Sequence, residues 1–548
     1  MMTTKYDSVK KVWSGSTDCS PLFHESVTLG RAALYTLGLY PDKVCQISAD
    51  DGSSRTNGQI YQSTMKVAIN LKIRGCSVGD VVGFVCRNTH NLTPAVLASL
   101  FLGAPVNALD AAFLKDEIVH MFRTTGPKFV FCDDNTVRMV QKALMELQSK
   151  ATIIVLGERV GNFVHIDDFL NDESHQMEII QLSMNPPEVD RNSCGAIICS
   201  SGTTGPAKGV AISHLTLQMT LCRPAMSFLI DTSDMMLSFS SMYWLSGWSS
   251  MFMSLFLGIP RVMTVRASSS EAYISVLKEY PVTLVINSPS QVAELVNSPL
   301  IEKDTMAKVK CMMCGGGLVT QELADSVKPY LPNGVFVIGY GMTETGGISA
   351  LFVPTSKVSV GTLTVGVTVK ILDEDGKNLG VGESGEIVVK TGVQFLGYYN
   401  NPKATAETLD KEGWIHSGDI GHFDEDGFLF ITGRRKDMFK YNNYQITPSE
   451  LEEILEKHPG VVHAVVVGIP DSVHLNLPAA VIVRKNGSTV SAEELTHLVE
   501  KNVSDFKKLR GGIYFVNELP MTPSGKIQKL KVLEMAKKFF QETSPSKL

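Results

Sequence analysis

The sequence predicts an α/β protein in two parts: a large N-terminal domain of mixed and parallel sheets flanked by helices, and a smaller α+β C-terminal domain. Three observations carry this. The chain has 548 residues, more than one hydrophobic core usually organises. Short runs rich in Val, Ile and Ala alternate with amphipathic helical stretches over most of its length. A charged knot, Gly433-Arg434-Arg435-Lys436-Asp437, then breaks the alternation and leaves about 110 residues beyond it, enough for a domain. The boundary is placed there, giving 1–435 and 436–548.

In the first part, residues 81–86, 128–132, 152–156, 194–200, 283–286 and 335–339 read as buried strands. In the second, Thr447-Pro448-Ser449-Glu450 reads as a helix start, with Pro in the first turn and Glu at the capping-box position. Ser491 and Glu494 repeat the capping pattern before another helix. Residues 464–468, 479–483 and 513–516 complete the unit as strands.

Composition narrows the function. A net charge of −6 supplies no basic field for nucleic acid. The ten cysteines all precede residue 315, and the lone CxxC, Cys311 to Cys314, runs into Gly315-Gly316-Gly317. Zinc would need a second ligand pair, so buried, reduced thiols are expected. Between Asp234 and Arg261 the chain carries no charge, yet its seven serines suit a buried wall or ligand pocket better than a membrane span. The N-terminus has no apolar signal region.

The most informative stretch is Ser200-Ser201-Gly202-Thr203-Thr204-Gly205-Pro206-Ala207-Lys208-Gly209. Two glycines let N–H groups turn inward, four hydroxyls add donors, and Lys208 adds a positive charge, a set suited to polyphosphate. It is not a Walker A loop: Ala207 precedes the lysine, and Val210-Ala211-Ile212 continues as a strand. With five further motifs in order, this loop resembles that of the adenylate-forming superfamily of acyl-CoA synthetases, coumarate–CoA ligases and beetle luciferases. The others are Gly315-Gly316-Gly317-Leu318, Gly339-Tyr340-Gly341-Met342-Thr343-Glu344, Gly385-Glu386-Ile387, Gly413–Asp419 leading to Gly433-Arg434, and Pro520–Lys526. Lys508-Leu509-Arg510-Gly511-Gly512 is similar to beetle luciferases and their insect acyl-CoA synthetase relatives.

The resemblance implies an ATP-dependent acyl-CoA synthetase. A carboxylate is adenylated with loss of pyrophosphate, then passed to CoA with release of AMP. It implies that Lys526 reaches the carboxylate and α-phosphate from a mobile small domain, and that the 200–209 loop holds the departing phosphates. Thr343 would bind the α-phosphate and Glu344 Mg²⁺. Asp419 and Arg434 would hold the ribose, while Tyr340, Gly316 and Gly317 flank the base. Lys436 would be the hinge, and Lys440, Asn442 and Asn443 would face the CoA channel after rotation. Asn443 stands where the family usually has Gly, which bears on the CoA step.

Trp244, Ser246 and Gly315 mark the acid pocket. Tyr243-Trp244 replaces the paired histidines of beetle luciferases, and Thr220 replaces their arginine, so luminescence is not expected. Met235, Met236, Met242, Met251, Phe252 and Met253 line a fatty-acid tunnel or form core. The alternatives to a synthetase are a luciferase-type monooxygenase and a non-catalytic acyl or nucleotide binder. Ser546-Lys547-Leu548 matches the peroxisomal import tripeptide, so an import receptor and a peroxisomal address are expected.

Overall fold

The structure is a computed structural model. It describes residues 4–16, 23–24, 26–200, 207–221, 230–351, 358–442, 444–471, 474–521 and 527–543. Ser201, Gly202, Thr203, Thr204, Gly205, Asn443, Lys526 and Ser546-Lys547-Leu548 lie outside the described residues.

Three sheets make the large part. The first has seven strands, and its parallel core Val106–Leu109, Val82–Val85, Phe129–Cys132 and Thr152–Val155 carries fully buried Val and Phe side chains on both faces. Helices cover both faces, as parallel strands require. Asn57–Ile73, started by a Thr56/Gln59 capping box, packs beside Leu92–Phe101, every residue of which is buried. At one edge Cys194–Ser200 turns back antiparallel on Lys208–Ser213, so the sheet is mixed.

The second sheet has nine strands. Parallel Leu284–Asn287, Cys311–Gly315 and Val335–Met342 lie side by side, and Gly346–Leu351 returns antiparallel. The uncharged segment forms the short strand Met236–Leu237 and the helix Leu245–Leu257, which packs against this sheet through Met253, Ile286 and Val337. No helix among the described residues is long and apolar enough to cross a membrane.

The third sheet was not legible beforehand. It is antiparallel and joins Lys5–Asp7 and Val12–Ser14 to Thr368–Leu372, Gly385–Lys390, Ile415–Phe423 and Leu429–Arg434. Trp13, fully buried between Tyr6 and Phe423, pins the N-terminal hairpin to it. Pairing across more than 350 residues leaves no local signature.

The smaller unit is α+β. Val461–Asp471 and Leu475–Arg484 form a long hairpin, and Ile513–Val516 adds parallel. Helices Pro448–Glu456, Ala492–Asn502 and Lys529–Thr543 pack on it. Ser491 caps its helix by accepting from the Glu494 N–H at 3.1 Å. The capping box expected at Thr447 is absent. Thr447 makes no cap bond, and Glu450 is drawn away to Lys507 at 2.6 Å, where an opposite charge outcompetes a backbone N–H. The eight described cysteines are free, and burial pushes Cys311 up to about 12.

Candidate active site

A cleft of about 2800 Å³ runs between the large part and the small unit. Parallel strands deliver their loops to one edge, which is why residues far apart in sequence meet here. In register, Ser200 pairs with Lys208, so the hairpin hands both ends of the Ser/Gly/Thr loop to the cleft.

Lys208 is held in place by a residue that carried no motif. Its Nζ lies 4.8 Å above the Tyr398 ring, and the Tyr398 hydroxyl donates to Glu344 Oε1 at 2.7 Å. Backbone bonds from Ala211 to Gly397 and from Tyr399 to Gly209 fix that tyrosine to the loop's outgoing strand. Burial, aided by the Glu344 charge, raises the Tyr398 phenol above its ordinary value, so it stays a donor. Cation, phenol and carboxylate therefore form one chain, 190 residues apart from Lys208 to Tyr398.

A second group forms on the third sheet. Asp419 is 5% exposed. Its Oδ2 accepts from the Tyr340 hydroxyl at 2.8 Å, and its Oδ1 meets Arg434 Nε at 3.0 Å, directly across the strand pair that places Asp419 opposite Arg434. Burial raises the Asp419 carboxyl above its usual range and Arg434 counters it. Tyr340, assigned a stacking ring in the sequence, thus also orients the aspartate. Each carboxylate oxygen keeps a further lone pair for a diol.

Glycines bring backbone to the surface of the cleft. A Cβ on Gly315 would lie 2.8 Å from the Gly339 carbonyl, and one on Gly341 2.3 Å from that of Gly346. Gly316 has φ +84°, a region that favours glycine. A Cβ on Gly339 would meet nothing within 4 Å, which leaves a flat floor. The same cleft is lined by Trp244 and Ser246 at the start of helix Leu245–Leu257, with Ser246 Oγ donating to Ser240 Oγ at 2.8 Å. Of the six Met and Phe positions considered for a tunnel, Met253 alone lines the cleft; Met236, Met242, Met251 and Phe252 are core, and Met235 packs against it.

Lys436 follows Arg434 in the short 3-10 turn Arg435–Asp437, where Arg435 pairs with Glu386 at 2.7 Å. From the small unit, Met521 and Ile527, which bridge to each other on either side of residues 522–526, line the cleft. Lys440 and Asn442 do not line it. They sit on the hairpin Phe439–Tyr441 to Tyr444–Ile446, where Asn442 takes φ +47° and its Oδ1 accepts from His474 Nδ1 at 2.8 Å. The remaining described candidates, namely Ser200, Lys208, Trp244, Ser246, Gly315, Gly316, Gly317, Gly339, Tyr340, Gly341, Thr343, Glu344, Asp419, Arg434 and Lys436, share the one cleft.

A hairpin loop ending in lysine, a hard carboxylate and a buried Asp419 held by Tyr340 and Arg434 on this fold define a nucleotide-dependent enzyme. The sequence profile described as AMP-binding enzyme matches residues 36–399, and that of the AMP-binding enzyme C-terminal domain matches 450–526. The chain belongs to this family of ATP-dependent, adenylate-forming enzymes and is of the AMP-forming acid–thiol ligase type. It is 30% identical to a 4-coumarate–CoA ligase-like protein of Arabidopsis thaliana, covering 89% of this chain and 86% of that one. It is 29% identical to a luciferin 4-monooxygenase of Photuris pensylvanica, over 93% and 96% of the two chains. Among solved structures, ATP-bound MatB from Rhodopseudomonas palustris superposes with a TM-score of 0.82 at 24% identity, covering 94% of this chain and all of that one.

Proposed function

We propose that the protein is an acyl-CoA synthetase that adenylates a carboxylic acid with an apolar tail, most suitably a fatty acid, and transfers the acyl group to CoA. The observation that carries this is the sharing of one cleft by the ends of the phosphate loop, the Tyr398–Glu344 pair, the Asp419 group, an acid pocket and the flanks of the Lys526 loop. A carboxylate is already a nucleophile, so the residues need supply no base. They hold two anions together and neutralise charge on the phosphates.

In the first step Asp419 and Arg434 bind the ribose, with Gly316, Gly317 and Tyr340 along the base. Lys208 and the hydroxyls of the loop take the β- and γ-phosphates. Thr343 donates to the α-phosphate, and Lys526 bridges it to the acid. Glu344 with the neighbouring Thr343 suits Mg²⁺. One carboxylate fits an ion held chiefly by phosphates, and no cluster of three His, Cys, Asp or Glu exists among the described residues. That ion would supply charge neutralisation at the phosphate oxygens.

The acid lies over Gly315 and Gly339, in the part of the cleft lined also by Ser246, Trp244, Met253, Met313, Ile286 and Val337. These apolar groups support a hydrocarbon tail. In the second step the small unit turns at Lys436 to present Lys440, Asn442 and Asn443 to CoA. The present arrangement, with the Lys526 flanks inward and Lys440 outward, corresponds to the first step.

Pyrophosphate release should be measured across fatty acids of graded length, hydroxycinnamic and benzoic acids, and D-luciferin. Fatty acids should give the fastest release, with no appreciable light from luciferin. Lys526→Ala should lose about 10²–10³-fold in pyrophosphate release while still converting supplied acyl-adenylate to acyl-CoA. Release from none of these acids would sink the reading.

A further inference from the structure

We infer that Lys529 is a positioning residue that locks the stem of the Lys526 loop to the first residue after the hinge. This rests on the two-step reading above and names a part of it that carried no motif. Lys529 opens the helix Lys529–Thr543, three residues past Lys526. Its Nζ lies 3.1 Å from Asp437 Oδ2 and 3.2 Å from Glu452 Oε1. Asp437 immediately follows Lys436, and Glu452 lies on the helix Pro448–Glu456. One ammonium thus joins the hinge, the first helix and the end of the catalytic loop. All three side chains line the cleft.

The geometry around this lysine points to position rather than bulk stability. A cation in a helix's first turn is opposed by the macrodipole, so the local rule is broken in favour of a tertiary contact. Side-chain exposures of 28%, 16% and 14% for Lys529, Asp437 and Glu452 put the ion pairs in a half-buried setting, where solvent screens them little. Glu452 Oε1 is itself oriented by the Val466 N–H at 3.0 Å, which ties it to the strand Val461–Asp471 of the unit. Burial works against the Lys529 charge, yet Glu452 and Asp437 hold its ammonium above the ordinary value.

The base of the loop is stiffened by the same neighbourhood. The Gln528 N–H donates to the Pro520 carbonyl at 2.8 Å and its side chain to Met521 O at 2.6 Å, while Met521 and Ile527 form a bridge. Val532 and Ala536, fully buried, anchor the helix on Val465, Val467 and Val481. With the helix and the loop base both rigid, the Lys529 pairs are what set the angle of that assembly relative to Asp437. Turning at Lys436 then carries Lys529 together with Met521 and Ile527, the described residues on either side of Lys526, and it is through them that Lys529 acts on the first step.

The test separates placement from folding. Lys529→Met should slow pyrophosphate release about 10²-fold, the cost of a small misplacement, while conversion of supplied acyl-adenylate plus CoA stays at the wild-type rate. Lys529→Arg should restore most of the first step. In a Lys526→Ala background Lys529→Met should cost nothing more, since it acts only through the lost group. Asp437→Asn, which keeps shape and removes one ion pair, should show a smaller defect confined to the first step. Equal slowing of both steps, additive loss in the double variant, or an unchanged first step would overturn the assignment with the ligase reading intact. A wild type that releases no pyrophosphate from any acid would instead overturn both.

Discussion

Single residues in this protein are tuned by what surrounds them in space, and Glu456 shows how. Its Oε1 accepts from the Ala464 N–H at 3.1 Å, and His463 Nδ1 stands 4.0 Å away. Burial raises its carboxyl to about 7, the Ala464 bond opposes this, and Glu452, Glu322 and Glu453 add to the rise. Glu322 belongs to the large part, so the two units face each other here with like charges. The native state keeps a proton on Glu456 at pH values where the unfolded chain, near its ordinary 4.5, has lost it. Stability from this group is therefore greatest below about 4.5 and is lost as pH rises through about 7. Glu456→Gln should raise the melting temperature at pH 8 and leave it nearly unchanged at pH 5. Melts across that range check it, and an equal shift at both ends would refute the argument. Nothing in the sequence singled out Glu456.

Among the elements, the hairpin Val335–Met342 to Gly346–Leu351 brings backbone close to backbone at the cleft. It carries Gly339, Tyr340, Gly341, Thr343 and Glu344 through a tight return that leaves no room for a Cβ on Gly341, 2.3 Å from the Gly346 carbonyl. Gly346 has φ +72°, and a Cβ there would lie 2.9 Å from Thr220 Cγ2. Gly341→Ala should force the strands apart and cost about 1–3 kcal/mol of stability, since backbone cannot yield as a side-chain tip can. Its Michaelis constant for ATP should rise as well, because Tyr340 and Glu344 flank the site. Denaturant unfolding and ATP titration test both, and a fully stable variant with unchanged ATP dependence would show that the hairpin has slack. The motif was legible as a run of letters. That its second glycine is required by a carbonyl five residues on was not.

The whole molecule works by joining two units through few residues. The return from the third sheet ends at Arg434, the turn Arg435–Asp437 follows, and Ser449 Oγ donates back to the Thr432 carbonyl. Rotation about Lys436, as proposed, would break that contact while sparing the Asp419–Arg434 pair, which lies before the turn. Lys436→Pro fixes φ at the hinge without removing any group assigned to adenylation. It should release pyrophosphate at about the wild-type rate in a single turnover, retain bound acyl-adenylate, and pass it to CoA slowly. Rapid quench of both half-reactions decides this; equal effects on the two would mean that the units do not alternate.

Some of this protein is written locally in its sequence. The strands 194–200 and 513–516 were read to the residue, because short apolar runs bounded by polar turns need only neighbouring side chains to declare themselves. The ordered motifs, and with them the adenylate-forming family, were legible for a similar reason: phosphate, ribose and carboxylate chemistry demands particular residue types at fixed spacing. What only the tertiary structure decided were partnerships between distant segments. Tyr398 completing the Lys208 and Glu344 pair, Lys529 bridging Asp437 and Glu452, and the N-terminal hairpin seated by Trp13 all depend on loop closures of tens to hundreds of residues. Such contacts form where burial and charge make them favourable in space, and nothing in the local pattern of either segment encodes the other.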